Sequence, residues 1–273
     1  MIWRSPLLLV FLAVAMVAAA QQPDPPTNAA GNASSDEPVA NPGRPTVATP
    51  ATLTPVGYFQ FETGVLAAWH SPGLSSQTNL NEVIKFSVSR WIELLASSEP
   101  YVHTSLEGPT SNGSGSVALG VQGVIHHGEG VNPTIAVSYF GTVYGGDTPS
   151  LDTGSSQNSV LLMASADVKG FHYDTNYFFN EAVEGAVRRA QFGQTLSVSH
   201  ALGKNFGIAG EIWHFTQPFL RSNTVGNLWA LNYNARDNLV FDCGFNRGLT
   251  STSTRWEVVA GFTYLLPHKV RVH

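Results

Sequence analysis

From Val56 to the C-terminus the chain repeats one pattern, in which runs of about ten residues alternate apolar and polar side chains. Each run ends at Gly, Asn, Asp or Ser. In one of the last runs, for example, Phe241, Cys243 and Phe245 alternate with Asp242 and Gly244. A period of two places alternate side chains on opposite faces of a sheet, so each predicted strand has one apolar face and one small or polar face. This pattern is typical of a transmembrane β-barrel.

The runs predict twelve strands, and an even number is usual in bacterial outer-membrane barrels. The predicted strands cover residues 56–69, 78–88, 91–98, 115–126, 133–144, 158–168, 171–180, 190–201, 206–216, 224–233, 239–248 and 255–266. Every second connection is short (89–90, 128–130, 169–170, 203–205, 234–238), and the others are longer (70–77, 98–114, 145–157, 181–189, 217–223). Short periplasmic turns and longer external loops favour an all-β, transmembrane, antiparallel β-barrel of about 12 strands over a soluble sandwich.

The first 55 residues predict two further segments. Arg4 precedes an apolar stretch that ends at Ala18-Ala19-Ala20, which predicts a signal peptide over residues 1–20. A retained anchor is the alternative, but the stretch is short for a membrane-spanning helix. Residues 21–55 are rich in Pro, Ala, Ser and Thr and poor in large apolar side chains, which predicts a disordered periplasmic tail. The barrel itself is predicted over residues 56–273.

Composition narrows the function classes. Charged residues make up 12% of the chain, aromatic residues 11%, and the formal net charge is -5. No basic patch is evident, so the sequence predicts no nucleic-acid partner. The single cysteine, Cys243, falls on the predicted apolar face and is interpreted as a small hydrophobic residue rather than a reactive thiol.

If the apolar face contacts lipid, the opposite face of each strand lines the lumen. The candidate lumen and solute-pathway residues are Glu62, Lys85, Glu93, Gln122, Asp174, Asn176, Glu211 and Asp242. Two interpretations stay open: a charged constriction that screens solutes, or a hydrogen-bonded network that pairs buried charges and stiffens the barrel. Twelve strands predict a narrow bore, which an inward-folded loop is able to plug.

Catalytic and metal-binding signals are weak. Ser199 and His200 are adjacent, so alternation separates a would-be nucleophile from its base. The same argument separates His126 from His127. The sequence therefore predicts no enzyme, no catalytic residue, no metal site and no cofactor.

The last two strands resemble a family of bacterial outer-membrane transporters named after the MetA pathway of phenol degradation. The likeness rests on short motifs: Asp242-Cys243-Gly244, Gly248-Leu249-Thr250, Trp256, Gly261-Phe262-Thr263-Tyr264, the hairpin Ile84-Lys85-Phe86-Ser87 to Trp91-Ile92-Glu93-Leu94, and Glu211-Ile212-Trp213. The resemblance implies an outer-membrane channel, and the family name suggests uptake of hydrophobic or aromatic compounds. It implies no catalytic residue.

The chain departs from the family at several positions. Lys85-Phe86-Ser87 stands where the family has Arg-Tyr-Gly, and the usual Leu-Pro-Thr-Gly turn is replaced around Tyr144-Gly145-Gly146-Asp147. Outer-membrane barrels usually end on an aromatic residue that the assembly machinery recognises, whereas this chain continues from Tyr264 to His273. Residues 261–266 are the candidate internal version of that signal.

The sequence thus predicts an outer-membrane channel for small solutes, including hydrophobic or aromatic ones, with a narrow polar lumen. The alternative is a structural or adhesive outer-membrane barrel with a closed lumen and functional external loops. In both cases the expected partners are outer-membrane lipid and the barrel-assembly machinery, and a channel adds a small-molecule solute. The oligomeric state is not specified by the sequence.

Overall fold

The computed structural model describes residues 38–106, 109–149, 151 and 155–270. The described residues form thirteen strands. These are β1 (Phe59–Trp69), β2 (Ser76–Ser87), β3 (Ile92–Ser105), β4 (Thr110–Gly113), β5 (Val117–His126), β6 (Thr134–Tyr144), β7 (Ser155–Val168), β8 (Phe171–Glu184), β9 (Val187–Leu202), β10 (Phe206–Gln217), β11 (Ser222–Arg236), β12 (Leu239–Gly248) and β13 (Trp256–Leu265).

Twelve of these strands form a closed antiparallel barrel. The strand order in the sheet is β2-β1-β13-β12-β11-β10-β9-β8-β7-β6-β5-β3. The pairing of β2 with β3 closes this sheet into a barrel. The first and last strands pair along their whole length, from Gln60 opposite Leu265 to Trp69 opposite Trp256. Strand β4 pairs only with the end of β3, where it extends the wall beyond the barrel. The predicted fold class is confirmed, and only β4 is additional.

The two faces of the wall have opposite chemistry, as the alternation predicts. On β13, Trp256 and Val258 are 44% and 49% exposed, whereas Val259 and Thr263, on the other face of the strand, point inward and are buried. Cys243 is exposed on the same outer surface between Phe241 and Phe245. An apolar surface this extensive is unfavourable in water and is matched by lipid hydrocarbon. None of the described residues forms a helix long and apolar enough to cross a membrane.

The barrel has two distinguishable ends. The turn end carries the connections 88–91, 127–133, 169–170, 203–205 and 237–238, and the loop end carries those at 70–75, 106–116, 145–154, 185–186, 218–221 and 249–255. The two-residue turn Lys169-Gly170 has positive φ at both positions, the geometry that suits the twist of a hairpin. The predicted loop over 181–189 is wrong, because β8 and β9 continue through it and pair up to Glu184 opposite Val187.

The predicted disordered tail is also wrong where the structure describes it. Residues 40–54 lie inside the barrel, with Ala48 and Ala51 fully buried. The segment has too few apolar side chains to form a core by itself, but the lumen surrounds its backbone with hydrogen-bond acceptors. The predicted signal peptide, residues 1–20, and residues 21–37 of the predicted tail lie outside the described residues.

Candidate functional site: a plugged lumen and an open vestibule

All eight candidate lumen residues point into the barrel. Seven are buried, and Asp174 is half-buried. Each lies within the six strand residues nearest the turn end. The sequence pattern therefore placed these side chains on the inward face of the wall, and the structure adds that they share one half of the barrel.

Residues 40–54, here called the plug, fill this half of the lumen. The plug enters at the turn end, where the Ala40 N–H donates to the Asp237 carbonyl at 2.8 Å. It returns to the same end, where the Gly57 N–H donates to the Ser87 carbonyl at 2.8 Å. The Asn41 side chain ties the two arms together by donating to the Thr52 carbonyl at 2.9 Å. The plug is thus a loop that enters and leaves the lumen on one side.

Carboxylates of the wall hold the plug by its backbone. Both oxygens of Glu211 accept hydrogen bonds, from the Val47 N–H at 2.8 Å and from the Ala48 N–H at 2.6 Å. Glu93 accepts from the Thr54 N–H at 2.8 Å. Hydrogen bonds to charged acceptors are stronger than neutral ones. Glu211 is therefore the central anchor of the plug. Because it binds backbone N–H groups, this contact does not depend on which side chains Val47 and Ala48 carry.

Neutral side chains complete this set of acceptors. Asn176 accepts from the Thr49 N–H at 2.7 Å and donates back to the Thr49 carbonyl at 2.9 Å. Ser165 accepts from the Ala51 N–H at 2.7 Å and donates to Asp174 at 2.5 Å. The plug forms no strand with the wall, so its buried N–H groups depend on these side chains for partners. Ser165 was missed by the sequence analysis because a serine on a strand carries no distinguishing signal.

Two ion pairs neutralise part of the acidic lumen. Lys85 contacts Glu62 at 2.5 Å, and both side chains are buried. Arg44 of the plug contacts Asp242 at 3.4 Å. Arg44 was not among the sequence candidates, since its segment was predicted to lie outside the barrel. Removing either partner would leave a buried charge uncompensated, which is costly.

One sector of the lumen is apolar, which the predicted polar lumen did not include. Ala51 of the plug packs in a cluster with Val124, Ala136, Leu161 and Met163. The alternation did not identify this sector because Leu161 and Met163 are flanked by the outward-facing, equally apolar Val160 and Leu162. Where both faces of a strand are apolar, the pattern does not tell which one lies inside.

Beyond the plug, toward the loop end, the lumen opens into a cavity of about 610 Å³, here called the vestibule. Val47 of the plug is among the residues that line it. One wall, on β2 and β3, carries Gln77, Asn79 and Glu99 among its residues. Four aromatic residues also line it: Phe178, Trp213 and Phe215 lie on β8 and β10, across the barrel from that wall, and Phe140 lies on β6 between the two sides. The vestibule therefore offers both hydrogen-bonding groups and aromatic rings, and Phe178 and Phe215 lie across the barrel from Glu99.

Three of these aromatic rings lie across glycines of the neighbouring strand. The directly paired residues are Gly120 with Phe140, Gly193 with Phe215, and Gly226 with Trp213. A Cβ atom added to any of these glycines would overlap the ring of its partner. The absence of a side chain thus lets each ring lie flat against the wall and leaves the centre of the vestibule open.

We predict that Gly193→Ala narrows the vestibule and destabilises the barrel by about 1–2 kcal/mol, because the Phe215 ring must move off the wall. The free energy of unfolding, measured by denaturant titration in lipid, checks this value. The matched control is Gly207→Ala on β10, where an added Cβ would meet no atom closer than 3.8 Å. Equal stability of the two variants would contradict the prediction.

No metal site is evident in the described part of the chain, where no three His, Cys, Asp or Glu side chains lie close enough to hold an ion. His200, one of the weak catalytic candidates, is exposed and bonded through Nδ1 to the Gly170 carbonyl oxygen at 2.8 Å.

Comparison with known proteins identifies the fold. No family model and no curated protein matches the chain. Among solved structures, an outer-membrane channel from Pseudomonas putida F1 is similar with a TM-score of 0.59 and 13% identity, covering 79% of this chain and 98% of that one. The NanC porin is similar with a TM-score of 0.53 and 10% identity, covering 76% of this chain and 100% of that one. The KdgM porin is similar with a TM-score of 0.53 and 12% identity, covering 75% of this chain and 98% of that one.

At these identities the likeness concerns the fold alone. The resemblance to the family of the MetA pathway stays a prediction, as do the absence of enzymatic activity and the identity of any solute. What the geometry and the comparisons together establish is that the chain has the fold of a bacterial outer-membrane β-barrel, of the size found in porins and channels.

Proposed function

We propose that this protein is an outer-membrane channel for small solutes, including aromatic ones, and that the plug closes its lumen in the resting state. The observation that carries the proposal is the division of the lumen into two halves. At the loop end it holds an open vestibule of about 610 Å³. At the turn end it is filled by a segment bound through hydrogen bonds and ion pairs.

The chemistry of the plug supports a reversible closure. Its N–H groups bind side-chain carboxylates, amides and hydroxyls of the wall, all of which water is able to solvate when the plug leaves. The only buried side chains at its centre are small ones, Ala48 and Ala51. Withdrawal of the plug would expose these polar groups to water, together with the apolar cluster of Val124, Ala136, Leu161 and Met163 that now packs against Ala51.

A lumen without the plug would be lined by the polar side chains that now hold it. These solute-pathway residues are Glu62, Lys85, Glu93, Gln122, Asp174, Asn176, Glu211 and Asp242. In the closed state Glu93 and Glu211 bind the plug, and Lys85 pairs with Glu62. The same residues would therefore form the stabilising network in the closed state and line the solute pathway in the open state.

The turn end is proposed to face the periplasm, because short connections lie on that side in bacterial barrels. The N-terminal tail is proposed to lie in the periplasm, and solutes would enter the vestibule from outside. An aromatic solute is implied by the family resemblance, and the aromatic residues of the vestibule support it. Membrane lipid and the barrel-assembly machinery remain proposed partners.

A closed structural or adhesive barrel is the second candidate, and the filled lumen is the observation that favours it.

The two functions are separated by Glu211→Ala, which removes both hydrogen bonds to Val47 and Ala48. At about 1.5 kcal/mol for each bond to a charged acceptor, the plug loses about 3 kcal/mol. We expect the ratio of open to closed channels to rise about 100-fold.

Single-channel recording in planar bilayers measures this ratio. The matched control is Gln217→Ala, which removes a buried inward side chain of the same strand in the half of the barrel beyond the plug. A Glu211→Ala barrel that folds and never conducts would favour the structural function. Openings that increase equally in both variants would show that barrel damage, and not plug release, is responsible.

A further inference from the structure

The polar wall of the vestibule is rich in hydrogen-bond acceptors. The Asn79 amide nitrogen donates to a Glu99 carboxylate oxygen at 2.7 Å. Because a carboxylate only accepts, this bond fixes the orientation of the amide and leaves Asn79 Oδ1 as a free acceptor. Asn79 Oδ1 and Gln77 Oε1 receive no hydrogen bond from the described residues, but neighbouring atoms cover both oxygens almost completely, so Glu99 is the acceptor on this wall that a solute is able to reach.

The charge of the vestibule has one sign. Among the described residues that line it, the charged ones are Glu99 and Glu257, and none is Lys or Arg. The two cationic side chains at the plug, Lys85 and Arg44, form ion pairs with Glu62 and Asp242, so they do not neutralise the vestibule. Opposite charges attract and like charges repel more strongly in a confined, poorly solvated space. The vestibule thus favours cations and disfavours anions.

The aromatic residues of the vestibule are held in place by contacts with their neighbours, and they also favour cations. Trp213 donates from Nε1 to Asn246 at 2.9 Å, and the Asn246 amide donates to Glu257 at 3.0 Å. Phe215 contacts both Phe178 and Trp213, with ring centroids 5.1 Å and 6.2 Å apart. Aromatic faces carry negative partial charge and attract organic cations while also packing against apolar groups.

We propose that the vestibule is a binding site for aromatic ammonium ions. This inference rests on the proposed channel function and deepens it, by naming the class of solute that the vestibule selects. The ammonium N–H groups would bind the Glu99 carboxylate, which lines the cavity and is only partly buried. The ring of the solute would pack against Phe178 and Phe215 on the opposite wall. A cavity of about 610 Å³ lies in the size range of small-molecule sites.

Three probes of nearly equal size and different charge test the selectivity: benzylammonium, benzyl alcohol and benzoate. Their affinities are measured by calorimetry on the full chain in detergent, with empty micelles as the blank. We expect benzylammonium to bind at least tenfold more tightly than benzyl alcohol, and benzoate to bind least. Methylammonium, which has the charge without the ring, is expected to bind at least tenfold more weakly than benzylammonium.

Glu99→Gln keeps the size of the side chain and removes its charge. It is expected to lower benzylammonium affinity about tenfold while changing benzyl alcohol affinity less than twofold. The control, Glu184→Gln, removes one negative charge from an exposed residue at the loop end that does not line the vestibule. Its benzylammonium affinity is expected to stay within twofold of the unmodified chain.

Benzoate binding as tight as benzylammonium binding would overturn the proposal, as would equal losses for charged and neutral probes in Glu99→Gln. Binding is measured with the plug in place and requires no conduction. A chain that prefers ammonium but never conducts would therefore refute the channel function alone, and a conducting chain without the preference would refute the ammonium site alone.

Discussion

A variant that lacks residues 38–53 is expected to conduct continuously, whereas the full chain is closed most of the time. The deletion removes the segment that fills the turn-end half of the lumen, including the fully buried Ala48 and Ala51. The wall side chains that bind it, among them Glu211 and Glu93, would then be solvated by water. Twelve strands enclose more space than the eight whose lumen side chains are able to fill, so an aqueous path should remain.

The measurement is single-channel conductance in planar bilayers, with the folded state of each variant checked by circular dichroism and by resistance to unfolding in detergent. A deletion of equal length, residues 22–37, is the control because it leaves residues 38–55 intact. We expect this control to behave like the full chain. A closed, correctly folded barrel without residues 38–53 would show that the plug is not what blocks conduction.

A disulfide between the plug and the wall is expected to abolish the openings of the Glu211→Ala variant. The Ala51 N–H lies 2.7 Å from Ser165 Oγ, so the two backbones approach each other here, and cysteines are placed at these two positions. The native Cys243 is exposed on the lipid face and is replaced by Ser to prevent other pairings. Under oxidising conditions the plug is tethered in the lumen, and conductance should fall at least tenfold.

Reductant should restore the openings in the same bilayer, which separates tethering from misfolding. Cysteines at Thr54 and Ser87, whose hydroxyl oxygens are 2.9 Å apart, provide a matched disulfide at the base of the plug. This bond restrains the chain where it already joins the barrel and leaves residues 40–51 free. Openings that persist with Ala51 cross-linked to Ser165 would contradict withdrawal of the plug as the opening step.

Both predictions depend on the identity of the plug, because the sequence analysis allowed an inward-folded loop to fill the bore but did not assign that role to residues 40–54. Pro42, Pro45 and Pro50 interrupt any regular pattern in the plug, and its small side chains give no hydrophobic periodicity. Composition alone therefore predicted disorder. The ordered state depends on acceptors supplied by the wall, such as Glu211, which lies 164 residues from Val47 in the chain. Local sequence carries no information about such a partner.

The sequence by itself determined the strands and their faces. A period of two sets the side on which each residue lies, and this local rule correctly placed Glu62, Asp242 and the other candidates inside and Phe241, Trp256 and Phe262 outside. The rule is insufficient where both faces are apolar, as around Leu161 and Met163, and where a short turn such as Gly185-Ala186 lets two strands extend into a predicted loop.

The tertiary structure decided what the lumen contains. Closure of β1 onto β13 brings distant strands face to face, and only then do Gln77, Asn79 and Glu99 lie opposite Phe178 and Phe215. The same closure creates a confined space where the plug finds its acceptors and buried charges find their partners. Strand identity follows from local periodicity, whereas the plug and the vestibule follow from contacts across the barrel, which exist only once the sheet is closed.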